Sequence, residues 1–224
     1  MCDCRSRISS SLRLALSRIL RKMPAMSAMT AGEAPFAPEY CDDVTDYEEP
    51  PFMKEWSEAN TGVQIVGQTC VSMLSEALKL YLRTWESELG VKWENGERKR
   101  YFKDGFVRGY QRCFGELLKL NWSECPADFD LLEQITLARN AAQHPDHIAN
   151  IEAQHDLRTR SQFPSPFFIH DSERHLVSAD NPLSSWFSPN IHVSMDKMLS
   201  AIGQVEALAN WLEDRMFAAK FPQR

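Results

Sequence analysis

Apolar and polar positions alternate along this chain with the period of α-helices, and that period locates most of its elements. Val66, Cys70, Met73, Leu74, Ala77, Leu78, Tyr81 and Trp85 fall at i, i+4, i+7 and i+8 spacing, the apolar stripe of a long helix that Gly90 stops. Asn95-Gly96 marks a turn. A second helix is expected from about Arg98 to Leu120, with Phe102, Phe106, Tyr110, Cys113, Phe114, Leu117 and Leu118 inward. Pro126 and Asp128 open a third, which carries Leu131, Leu132, Ile135 and Ala142. A fourth begins at Ser194 and runs to about Ala219 through Met198, Leu199, Ile202, Val205, Ala209, Leu212 and Met216. The fold class expected is all-α. Short links between the first three helices make an antiparallel four-helix bundle the natural packing.

Two stretches depart from this pattern. Residues 145–193 are too long for an ordinary bundle connection. Within them, Phe167-Phe168-Ile169-His170 and His175-Leu176-Val177 flank the polar turn Asp171-Ser172-Glu173-Arg174, which reads as a β-hairpin. Phe163, Phe167, Phe168, Trp186 and Phe187 point to an ordered insertion packed on the bundle. The other departure is at the N-terminus. Residues 1–50 read as a basic, then acidic and proline-rich leader without stable order, and residues 51–224 as the helical domain. Inside that leader, Ile8, Leu12, Leu16, Ile19 and Met23 recur at helical spacing, enough for a short amphipathic helix.

Charge sharpens the division. Residues 1–30 hold six cations (Arg5, Arg7, Arg13, Arg18, Arg21, Lys22) against Asp3, whereas residues 31–62 hold nine acids against Lys54. The whole chain of 224 residues carries a net charge of −6, which argues against a wholly basic nucleic-acid coat. Arg13 and Arg18 interrupt any secretory core. The Arg- and Ser-rich, acid-poor composition fits a mitochondrial transit peptide, and a start at Met23, Met26 or Met29 is the competing reading. No apolar run approaches the roughly 18–20 residues of a membrane span. Six cysteines without paired spacing suit reduced thiols and a cytoplasmic location.

The candidate chemistry lies at the end of the third helix, in Arg139-Asn140-Ala141-Ala142-Gln143-His144-Pro145. Arg139 follows Ile135 by four residues and Leu131 by eight, so it shares their apolar face. An arginine there must find an anionic partner, snorkel out at a rim, or face another subunit. Pro145 drives His144 out of helical geometry, and the break lets its imidazole swing back beside the guanidinium. An always-charged fork beside a titratable imidazole suits phosphodiester chemistry. The same residues also read as a plain helix end: a basic residue, a capping histidine and a stop proline. His144-Pro145-Asp146-His147, even with His155, falls short of the convergent ligand set of a zinc site, so neither a metal nor another cofactor is expected.

Four helices with Arg139, Asn140 and His144 ending the third resemble the HEPN superfamily, whose signature is an Arg, often followed by a polar residue such as Asn, and then His four to six residues on. The resemblance covers about residues 57–219, and its long insertion and leader depart from the family pattern. It implies metal-independent endoribonuclease activity that leaves 2′,3′-cyclic phosphate ends, as in toxin–antitoxin, phage-defence or CRISPR-associated systems. His144 would be general base or acid, Arg139 would stabilise charge on phosphate, and Asn140 would orient the pair. The resemblance also implies RNA as substrate, a homodimer with two motifs in one cleft, and an antitoxin or other partner protein. A non-catalytic nucleotide-binding, RNA-binding or interaction module of the same fold is the alternative. Lys103, Arg108 and Arg112 on the second helix supply a candidate RNA-binding face, for which a solvated basic surface is the competing reading.

Overall fold

The computed structural model describes residues 3–30, 53–143, 162–177 and 189–221. Among these the protein is all-α, with seven helices and no strand. They are α1 (Asp3–Thr30), α2 (Met53–Glu88), α3 (Glu97–Tyr101), α4 (Phe106–Leu118), α5 (Phe129–Gln143), α6 (Arg174–Val177) and α7 (Met195–Lys220). The long helix α2 is the hub: α1, α5 and α7 all pack on it, and α4 joins through α5 and α7. The core runs through Leu74, Leu78 and Trp85 of α2, Leu132 and Ile135 of α5, and Met198, Val205, Leu212 and Met216 of α7. No helix among the described residues is long and apolar enough to cross a membrane.

The starts of α5 and α7 follow the capping chemistry of their sequences. The Asp128 carboxylate accepts from the backbone of Asp130 (2.8 Å) and Leu131 (3.1 Å), and Ser194 Oγ accepts from Lys197 N (3.3 Å). The long helix α2 starts earlier than the apolar stripe implies, at Met53, and carries Gly67 in its interior. There the backbone lies so close to Val193 that a Cβ would stand 2.8 Å from the valine Cβ.

The structure corrects three expectations. First, residues 3–30 are not a disordered leader. They form α1, and Ile8, Leu12, Leu16, Ile19 and Met23 are all buried in the common core against α2 and α7. An apolar stripe of five residues has no stable place in water, and α2 and α7 offer it a complementary face. Residues 31–52, the acidic and proline-rich part, lie outside the described residues.

Second, the expected helix from Arg98 to Leu120 is broken into α3, a 3₁₀ turn (Phe102–Asp104) and α4. Gly105 makes the break with φ 134° and ψ 165°, a backbone open to glycine. Leu117, expected inward, is exposed.

Third, the expected hairpin is absent. Asp171–Glu173 form a 3₁₀ turn that runs into α6. The His170 ring accepts from Ser172 N (3.3 Å), capping the turn, and Asp171 pairs with Arg174. Local side-chain bonds thus win over extended pairing. The apolar residues before the turn do pack inward: Phe163, Phe168 and Ile169 are buried, and His192 N donates to Phe168 O (2.9 Å). Trp186 and Phe187 lie outside the described residues.

Candidate functional site

Arg139 stands near the C-terminal end of α5, four residues before Gln143, where the periodicity places it beside the core rather than in solvent. Its side chain is 22% exposed, and its Nε lies 2.9 Å from Glu76 Oε1 on α2. No acceptor lies along that N–H, so the pair acts through charge rather than as an aligned hydrogen bond. Nη1 donates to Asn140 Oδ1 (3.1 Å). Of the three fates open to an arginine on an apolar face, this chain takes the anionic partner, and takes it from within the same molecule. The physical motive for a second subunit at Arg139 is thereby met internally.

Glu76 serves two cations. Its Oε1 also lies 3.4 Å from Lys79 Nζ, one turn along α2. Lys79 Nζ and the Arg83 guanidinium in turn stand over the Phe106 ring, 5.7 and 5.9 Å from its centroid. Glu76, Lys79 and Arg83 at i, i+3 and i+7 therefore form a polar stripe on α2 that meets the end of α5 and the start of α4. Sequence reasoning on Arg139 and His144 missed this stripe. Its signal was present in the i, i+3 and i+7 spacing of three charged residues.

The start of α4 is held by α5. The buried Glu133 carboxylate accepts from the backbone N–H groups of Phe106 (2.9 Å), Val107 (2.8 Å) and Arg108 (3.2 Å), and from Thr136 Oγ1 (3.1 Å). A carboxylate at a helix N-terminus satisfies orphan donors and opposes the positive end of the helix dipole. These amides are consequently not open to an external anion.

The three nominated RNA-binding residues fare differently from one another. Arg108 pairs with Asp130 and Arg112 with Asp104, so both guanidiniums are already neutralised on their own surface. Lys103 is exposed. His144, the nominated acid–base residue, lies outside the described residues, as do His147 and His155. The structure therefore brings Arg139 together with Asn140 and Glu76, and places Arg108 in an ion pair with α5 and Arg112 in one with the 3₁₀ turn before α4.

Elsewhere the titratable groups are mostly structural. Glu86 accepts from Tyr110 Oη and Trp93 Nε1 and lies 3.5 Å from Arg98. Burial, followed by the Glu86 contact, holds the Tyr110 hydroxyl protonated well above the ordinary phenol range. Burial likewise pushes the Cys113 thiol up to about 11, which leaves it a poor nucleophile.

Compared with known proteins, the chain matches no family model, no curated protein and no solved structure.

Proposed function

We propose that the chain is a HEPN-type endoribonuclease that cleaves RNA without a metal, built on an antiparallel four-helix arrangement of α2, α4, α5 and α7. The observation that carries this reading is Arg139-Asn140 near the end of α5 in an all-α protein, with Arg139 half-buried and held by Asn140 and Glu76, and with His144 completing the motif in sequence. In this reaction the ribose 2′-oxygen attacks the adjacent phosphorus. The proton leaves the 2′-hydroxyl for a base, and the 5′-oxygen departs with a proton from an acid. His144 takes one of these proton-transfer roles. Arg139 stabilises the charge that develops on the non-bridging oxygens. To do so its guanidinium turns from Glu76 to phosphate, or presents Nη2 while Glu76 holds Nε. Asn140 orients the fork through Nη1. A homodimer with paired motifs and a neutralising partner protein belong to the same proposal and rest on the resemblance alone.

One observation favours the non-catalytic reading. Glu76 neutralises Arg139, and Arg108 and Arg112 are paired as well, so a protein that only binds through this fold would look the same here.

The test is to express wild type and His144→Ala side by side and score growth arrest and RNA integrity. Loss of cleavage by about 10²–10⁴-fold in His144→Ala is the expected outcome. Cleavage should survive EDTA and leave 2′,3′-cyclic phosphate ends. Full activity in His144→Ala, or dependence on a divalent ion, would overturn this mechanism, and absence of cleavage by wild type would replace the enzyme by the binding module.

A further inference from the structure

The outer face of α1 carries charge that the other described residues leave unanswered. Arg13, Arg18, Arg21 and Lys22 are all exposed, and among the described residues none of them has an anionic partner. By contrast, Arg98, Arg100, Arg108, Arg112 and Arg139 each pair with a carboxylate. At 100° per residue the four α1 cations spread over an arc of ~180° opposite the buried stripe, and they span ~13 Å along the axis. A protein of net charge −6 thus presents a cationic strip on a helix that contains no acid after Asp3.

We infer that this strip is a docking surface for the phosphate backbone of single-stranded RNA. Three observations select that occupant. The α1 stripe from Ile8 to Met23 that an interfacial helix would insert into a bilayer is already buried in the core. The exposed leucines of α1, Leu14 and Leu20, lie ~120° apart around the helix and form neither an apolar face nor the apolar anchor of a protein interface. What remains is charge, mostly as guanidinium forks, and charge alone suffices to hold a phosphate backbone. The inference is separate from the Arg139 reading, because α1 lies outside the HEPN resemblance and binding needs no cleavage.

The experiment measures anisotropy of a fluorescein-labelled 2′-O-methyl oligonucleotide, which lacks the 2′-hydroxyl nucleophile and so reports binding whether or not the protein cleaves RNA. Titrations at about 50–200 mM salt compare wild type with Arg13→Gln/Arg18→Gln/Arg21→Gln/Lys22→Gln. A second variant, Lys54→Gln/Lys92→Gln/Lys99→Gln/Lys119→Gln, removes four other exposed charges. With about 0.7 counterions released per single-strand phosphate contact, the α1 variant should lose ~2.8 from the slope of log K against log salt. The control should keep most of it. Should the α1 variant fold poorly, Arg13→Gln/Arg21→Gln should lose about half as much. Wild-type slope in the α1 variant, an equal loss in the control, no binding by wild type, or binding of wild type to phosphatidylserine vesicles but not to the oligonucleotide would each overturn the inference.

Discussion

The Glu133 carboxylate fills the space that a side chain on residue 105 would need: a Cβ built on Gly105 would stand 2.5 Å from Glu133 Cδ. The two positions specify each other. Gly105 supplies the φ of 134° that ends α3 and its 3₁₀ turn, and its missing side chain lets Glu133 reach three amides of α4. Gly105→Ala should therefore destabilise through both the backbone and the displaced carboxylate. Glu133→Ala should cost about 3 kcal/mol, since it strands buried backbone donors. Urea denaturation checks both, and wild-type midpoints would dismiss this account of the break.

Helix α1 provides the second test. Ile19 and Leu16 are buried, so Ile19→Ala or Leu16→Ala should each cost about 2–5 kcal/mol. Arg18→Gln on the outer face should stay within about 0.5 kcal/mol. Removal of residues 1–30 should expose the α1-facing residues of α2 and α7 and yield aggregation or a lowered thermal midpoint. A truncated protein with unchanged melting would return α1 to the status of a dispensable leader.

How far these features could be read in advance depended on the distance of the deciding contact. Asp128 and Ser194 announce α5 and α7 because each cap bonds within three residues. The break at Gly105 is hidden because Phe102, Phe106 and Tyr110 keep helical spacing across it, while the deciding partner, Glu133, comes from another helix. The hairpin expectation failed for the converse reason. Two short apolar runs look like strands, yet His170 and Asp171 bond locally and turn the chain helical. The α1 stripe was legible, but its partner surfaces on α2 and α7 were not. At the candidate site, the motif revealed Arg139, whereas Glu76 lies on α2, and no local pattern links the two.

The Glu76–Arg139 pair gives a prediction that is separable from folding. Glu76 is 49% exposed, so solvent screens the pair and its contribution to stability should not exceed about 1 kcal/mol. Glu76→Gln should thus leave the thermal midpoint nearly unchanged. In the proposed reaction, Glu76 competes with phosphate for Arg139 and Lys79, and the substitution should lower KM by up to about fivefold. Arg139→Lys keeps the charge but loses the fork, and should abolish cleavage. A raised KM in Glu76→Gln would mean instead that Glu76 positions the guanidinium rather than competing for it.

His192 lies on the segment before α7, with its ring 4.7 Å from that of His170 and its Nδ1 buried without a hydrogen-bond partner. Burial depresses its pKa below the ordinary 6.5, and His170 and Lys197 push the same way against a smaller opposing pull from Asp171. The buried Lys197 donates to Ile169 O and pairs with Asp171 (2.8 Å), which also holds Arg174. A proton on His192 would thus enter a half-buried, already cationic cluster. Because the folded pKa lies below the unfolded one, the unfolded chain takes up the proton first. This contribution to stability is intact above about pH 6.5, falls as pH drops below it, and is fully lost beneath the folded value. Asp171 acts in a separate window: Lys197 and Arg174 lower its pKa, so its contribution holds above the ordinary carboxylate value of 3.8 and disappears at more acidic pH. Urea midpoints measured at about pH 7.5, 6.5, 5.5 and 4.5 should fall more steeply for wild type than for His192→Gln, with the difference confined to pH below about 6.5. Parallel curves for the two proteins would show that His192 does not carry the effect.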